Sequence, residues 1–533
     1  MVHLRSIILA SLLAVAIGSQ PARCQNISEK KQIPQSSQRR SGIKPADSPE
    51  VRSLLNDSEA LPAEFASDIS LTLVENGFVR NEALKVKVMT RAFEKASAAQ
   101  DDVMRNPFGA SVEKTSQGLH AIASSVTGLN RISLQARVVR QFVATDPRKA
   151  KLLFESMQPP QLTPVSCNEN WFFVPDSYYD ALAVVLQRGF SDREIRGGTR
   201  AGYVSSIIRH TQSHVQLTPL ARLLSSGDFT EEELRTIVPV YAAVLGDLHG
   251  DPLSFILMLE PYGGFFEAIT AVLTSLDRRN VDSRALLQAF RDYMVLNFKG
   301  PNCGAMESSN DSKSSLPLAI VKFNETFQSR LKGMNLSVIG EDEVKSNAKG
   351  SGPDEPLPSR WNSLTYFQLS ESLKKLYTPL TQKESAEGRT ENDAKWSSQA
   401  QDVLTRLSAW SNEDESELDF FHQKTILLEG LTQVTIGTPL HADVLDSLVL
   451  FLEQNSYQDV APIDWFFCAK LLFRSSRFKL SRRDFERLVD SREPVLSVYA
   501  RLQTLLESAK QTPPINSQLK ARRTEGAKNG DRK

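Results

Sequence analysis

Apolar residues in this chain recur at helical spacing, in runs separated by helix-start signals. No run alternates apolar and polar residues between Asn-Gly or Asp-Gly turns, so strands are not indicated. Thr230-Glu231-Glu232-Glu233 has the form of a capping box. It precedes an apolar face of Leu234, Ile237, Val238, Tyr241, Val244 and Leu245. Asp146-Pro147 places an N-cap residue before a proline at the first helical position, and Pro175-Asp176 opens the run Tyr178 to Gln187. The same punctuation occurs at Asp251-Pro252 before Leu253 to Leu259. A C-terminal series repeats the period: Val403, Leu404, Leu407 and Trp410, then Ile426, Leu427, Leu428, Leu431 and Val434, then Val444, Leu445, Leu448, Leu450 and Phe451. Elements of this kind predict an all-α fold of stacked helical hairpins, an irregular α-solenoid or bundle, in two helical blocks joined by a flexible linker.

The segment ISLQARVVRQFVATDPRKAKLLFESM, residues 132–157, resembles the helix-turn-helix unit of secreted bacterial α-helical-repeat proteins of unassigned function. That resemblance implies a stack of helical hairpins and names no activity. The tetratricopeptide Trp-Leu-Gly-Tyr signature is absent.

The expected organisation along the 533 residues begins with a signal peptide over 1–18. His3 and Arg5 precede an apolar run from Ile7 to Ile17, with Ala16 and Gly18 before a cut at Ser19. The run is short for a membrane span, and Arg23 before Cys24 argues against lipoprotein processing. Residues 19–60 read as a disordered polar leader, because they hold too little apolar surface to offset ordering entropy. An N-terminal helical domain is expected over 61–300, a linker with one short helix over 301–358, and a C-terminal helical domain over 359–508. A disordered basic tail over 509–533 completes the chain. The expected location is therefore exported, periplasmic or secreted, with no transmembrane segment in the mature chain. Lys plus Arg and Asp plus Glu are 63 each. With no global field to recruit a polyanion, a protein partner is expected and nucleic acid is not.

Export changes the reading of the cysteines at 24, 167, 303 and 468. Cys167 and Cys303 lie in polar Pro/Asn/Gly-containing stretches and are expected to form a disulfide; two free thiols are the alternative. Cys468 lies in the apolar run Trp465-Phe466-Phe467-Cys468-Ala469 and reads as a small hydrophobe.

Two places invite a chemical reading. Gly246-Asp247-Leu248-His249-Gly250 resembles the first metal-binding motif of the calcineurin-like metallophosphoesterases. The chain lacks the second block and any Asn-His dipeptide, and two-metal clamping of a phosphoryl group needs both. The pentapeptide reads instead as a helix junction, with Gly250 ending one helix and Asp251-Pro252 opening the next. His210 and His214, four residues apart, would share one helix face, and with Asp247 and His249 they form the metal candidates of an alternative metal-dependent hydrolase. No catalytic residue and no cofactor is assigned. Trp171, Phe172, Tyr178 and Tyr179 form an aromatic cluster whose commoner role is core around a disulfide; the alternative is a binding surface, and a partner groove is sought near them. The resulting expectation is an exported α-helical interaction or structural protein.

Overall fold

The cap signals are realised in the computed structural model, which describes residues 48–99, 104–105, 127–160, 172–173, 175–248, 264–299, 318–344, 363–381, 389–412, 416–455, 457, 460, 462–474 and 482–511. In chain order the first helices are α1 (Pro49–Ser58), α2 (Ala63–Glu75) and α3 (Glu82–Ala96), followed by β1 (Met104–Arg105). Then come α4 (Arg131–Thr145), α5 (Pro147–Ser156), β2 (Phe172–Phe173), α6 (Asp176–Arg188), α7 (Asp192–Arg196) and α8 (Thr199–Arg209). A short 3-10 turn (His214–Gln216) leads to α9 (Leu217–Ser226), α10 (Glu231–Asp247), α11 (Phe265–Arg278), α12 (Arg284–Lys299), α13 (Leu318–Gly333) and α14 (Glu341–Val344). The last helices are α15 (Leu364–Thr381), α16 (Arg389–Ala409), α17 (Glu417–Thr435), α18 (His441–Gln454), α19 (Pro462–Arg474), α20 (Arg482–Val489) and α21 (Pro494–Gln511). The fold is all-α. A two-residue antiparallel ladder, Met104 opposite Phe173 and Arg105 opposite Phe172, is the one departure among the described residues.

These helices form two compact units, one within Met89–Asn362 and the other from Ser11–Val88 together with Ser363–Lys533. In the first, most helices pack on the next but one, while α9 packs back on α6 and α5 on its neighbour α4. One row runs α4, α6, α9, α11, and a second runs α8, α10, α12. Lys322 to Glu267 (3.2 Å) and Arg330 to Asp277 (2.6 Å) tie α13 onto the end of the first row. Two rows built from alternating helices are the arrangement of an α-solenoid. Between the rows lies an aromatic core: Phe265, Phe290, Phe323 and Phe327 are all buried, and Phe290 packs edge-on against the other three. Each such ring contributes about 1.5–3 kcal/mol by leaving water.

The expected short helix of the linker is therefore core. Leu318–Gly333 is held by Phe323 and Phe327, and α14 is held by Arg291, which reaches Glu343 at 2.7 Å and the Ser337 carbonyl at 2.8 Å. Composition misled here: glycine- and serine-rich flanks mask a segment with an apolar face of its own.

The second unit is discontinuous in sequence. Phe65 of α2 sits among Trp465, Phe466 and Tyr499, with ring centroids 5.1–6.3 Å apart. Tyr499 donates to Asp68 at 2.6 Å, and Arg501 pairs with Asp57 at 2.6 Å. Two expectations are corrected by this. Residues 49–58, assigned to the leader, form a helix: Ser48 caps it by accepting from the Val51 amide at 3.2 Å, and Val51 and Leu54 are buried. The helices before Val88 belong with the C-terminal block, not with the 61–300 domain. Local periodicity finds a helix but not the partner that covers it. Among the described residues, no helix is long and apolar enough to cross a membrane.

Candidate functional site

Of the metal candidates, His210, His214 and Asp247 are described, and they form no metal-binding group. Helix α8 ends at Arg209, and His210 is its C-cap with φ −89° and ψ 11°. Three residues then intervene before His214 opens the 3-10 turn, so the two histidines do not share a helix face. His210 is exposed, and its Nδ1 donates to the Ser206 carbonyl at 2.7 Å. His214 is buried, with its Nδ1 hydrogen-bonded to the Tyr293 hydroxyl. Asp247 is exposed at the end of α10. His249 lies outside the described residues, as do Gly250 and Asp251-Pro252. Among the described residues no group of three or more His, Cys, Asp and Glu could hold a metal ion. A four-residue spacing puts two side chains on one face only where the helix is continuous, and here it is broken at Thr211-Gln212-Ser213. Ser213 instead caps the new turn and pairs reciprocally with Gln216.

The expected aromatic groove is core as far as it is described. Tyr178 and Tyr179 are 8% and 3% exposed. Tyr178 packs on Phe154 with ring centroids at 4.8 Å, and the Tyr179 hydroxyl accepts from Gln216 at 2.9 Å. Burial pushes the Tyr178 phenol up to about 12. The backbone of Phe172 lies in the two-residue ladder, while Trp171, Cys167 and Cys303 are outside the described residues. Cys468 is buried with a free thiol.

Two other places hold polar chemistry. The first is a groove of about 650 Å³ along the first row of the N-terminal stack, lined by the end of α9, the length of α11 and the start of α13. Phe266, Thr270, Thr274 and Arg278 follow one another at four-residue steps on α11, with Ser225, Ser226, Lys322 and Thr326 opposite. The threonine hydroxyls donate back to their own helix: Thr270 to the Phe266 carbonyl at 2.7 Å and Thr274 to the Thr270 carbonyl at 2.8 Å. Ser225 and Ser226 do the same toward Arg222. Four hydroxyl hydrogens are thus committed to carbonyls, which leaves acceptor lone pairs available to the groove. Lys322 and Glu267 neutralise each other at one end. At the other end Arg279 donates to a carbonyl, that of Phe229, and Arg278 is exposed.

The second place is the interface of α17 and α19. Helix α17 is buried on nearly every side yet carries His422, Gln423, Thr425, Glu429 and Thr432. The His422 Nε2 donates to buried Asp464 at 3.2 Å. Both amide atoms of Gln423 and one carboxyl oxygen of Glu429 have no hydrogen-bond partner among the described residues. Burial drives the Glu429 carboxyl well above the usual carboxylate range. Burial also raises the Cys468 thiol, and the neighbouring Glu429 adds to the effect. Orphaned buried polar groups are uncommon and costly.

Neither place was read from the sequence. A four-residue threonine–threonine–arginine stripe on α11 and a lone carboxylate inside the apolar run 426–434 were the available signals. Comparison with protein-family models, curated proteins and solved structures finds no match for this chain.

Proposed function

We propose that this chain is an exported α-helical scaffold that holds a protein partner on the first row of its N-terminal stack. The observation that carries the reading is the groove across α9, α11 and α13, open on the surface of a packed helical array. Stacked helices offer extended, pre-organised surfaces, which limits the ordering cost of binding. The apolar run Ile7 to Ile17 and the small residues before Ser19 support export. The separation of His210 from His214 speaks against the hydrolase alternative.

The test uses a photo-crosslinking amino acid at Thr274 in the groove and, as a control, at exposed Arg235 on α10. A discrete adduct with a single protein from Thr274, absent from the Arg235 control, is expected. Equal smears from both positions would remove the reading. N-terminal sequencing of the extracytoplasmic fraction checks export, with Ser19 expected as the first residue.

A further inference from the structure

We infer that the groove of the N-terminal stack takes an extended peptide with acidic residues at one end, an inference that rests on the scaffold reading above. The stripe from Phe266 to Arg278 covers thirteen residues of α11, about 18 Å at the helical rise. An extended chain rises about 3.3 Å per residue, so roughly five or six peptide residues fit along it. Three chemistries follow one another on that path.

At the Lys322–Glu267 end the charges already cancel, at 3.2 Å, and Lys322 also lies over the Phe266 ring at 5.2 Å. A neutral residue suits that end. Along the middle, the Thr270, Thr274, Ser225 and Ser226 hydroxyls have given their hydrogens to backbone carbonyls. Their oxygens can only accept, and the regularly spaced donors that match them are backbone N–H groups of an extended peptide. The same oxygens disfavour an anion lying along the whole groove.

At the far end, Asp277 is taken by Arg330 at 2.6 Å. Arg279 spends its hydrogen bond on the neutral Phe229 carbonyl. Arg278 is exposed on the groove rim, with no carboxylate partner among the described residues. Among the described residues, two guanidinium groups therefore remain there without a carboxylate partner, and the planar fork of arginine matches a carboxylate in a bidentate fashion. A compact anion would use this end alone and leave the acceptor row unoccupied.

The experiment measures binding of the full chain to fluorescein-labelled hexapeptides of fixed Gly/Ser body carrying two aspartates, two lysines or no charge at one end, with inorganic phosphate as competitor. The di-aspartate peptides are expected to bind best. Arg278→Glu should weaken them by about tenfold, the equivalent of one lost charge-assisted bond of about 1.4 kcal/mol. Arg278 is exposed, so this variant retains the fold, which circular dichroism verifies. Thr274→Val, which keeps shape and removes the acceptor, should weaken all peptides alike. Equal binding of the lysine peptides, indifference to Arg278→Glu, or no binding of any hexapeptide overturns the inference. Full displacement by millimolar phosphate reduces the site to an anion pocket and overturns it as well. A Thr274 crosslink to a protein partner that survives Arg278→Glu would keep the scaffold reading while rejecting this partner chemistry. Loss of the crosslink at Thr274 in the unmodified chain would reject the scaffold itself.

Discussion

Arg200 and Glu233, thirty-three residues apart, meet in a doubly hydrogen-bonded ion pair of 2.8 and 2.6 Å with both side chains buried. Arg200 also donates to the carbonyls of Leu186 and Asp228. Glu233 accepts from the Thr230 amide at 2.8 Å, so one carboxylate both closes the capping box of α10 and fastens α8 to it. Removing one partner strands a buried charge. Arg200→Ala is expected to destabilise by about 3–5 kcal/mol, whereas Arg200→Met with Glu233→Leu costs much less. Hydrogen exchange of α8 and α10 amides, measured in both variants, reads the difference; equal losses would contradict it.

The same pair sets an acid limit. Burial alone would raise the Glu233 carboxyl, but the Arg200 hydrogen bonds and the Thr230 amide outweigh it and hold the group below its ordinary 4.5. The unfolded chain binds the proton first as pH falls. Its contribution is therefore present above about pH 4.5 and fades below that value. Denaturant midpoints of the N-terminal unit should fall on acidification below pH 4.5, and Glu233→Gln should flatten that part of the curve.

Glu429 works in the opposite sense. Its folded carboxyl holds a proton well above 4.5, so the unfolded state ionises first as pH rises. Stability of the C-terminal unit should decline from about pH 4.5 upward. Glu429→Gln removes that slope and is the more stable form at pH 8. Urea unfolding of both proteins at pH 5 and pH 8 decides it; parallel curves would show that the carboxyl reaches water.

Burial of Phe65 among Trp465, Phe466 and Tyr499 makes the two ends of the described chain mutually dependent. Phe65→Ala should cost about 3–5 kcal/mol. Residues 363–533 alone should show poor hydrogen-exchange protection in α19 and α21, restored when a peptide of residues 48–81 is added.

Cys468, buried and with its thiol raised by burial, should resist maleimide in the native protein and react after denaturation. Rapid native labelling, followed by peptide mapping, would place it at the surface instead.

Helix identity was legible because its signals are local. The Thr230 box, the Asp146-Pro147 start and the face of Leu234 to Leu245 stand as expected, with Asp146 accepting from the Lys149 amide at 3.0 Å. Partner choice was not legible. Nothing near Glu233 announces Arg200, and nothing near Asp68 announces Tyr499, 431 residues away. Helix α17 hides for another reason. Covered on nearly every side, it has no polar face to complete an amphipathic pattern, so nothing in its sequence marks His422 and Glu429 as interior. The groove escaped because its threonines satisfy themselves within α11, and small hydroxyl residues on a helix carry no distinctive period.

The split composition of the C-terminal unit has a kinetic consequence. During synthesis α1 and α2 are made first, and the helices that cover Phe65 emerge roughly four hundred residues later. Closing so long a loop is slow, and the apolar faces of Val51, Leu54 and Phe65 stay uncovered meanwhile. A circular permutant that joins residue 511 to residue 48 would make those partners neighbours. It should complete this unit faster, and aggregate less on refolding, with its equilibrium contacts unchanged.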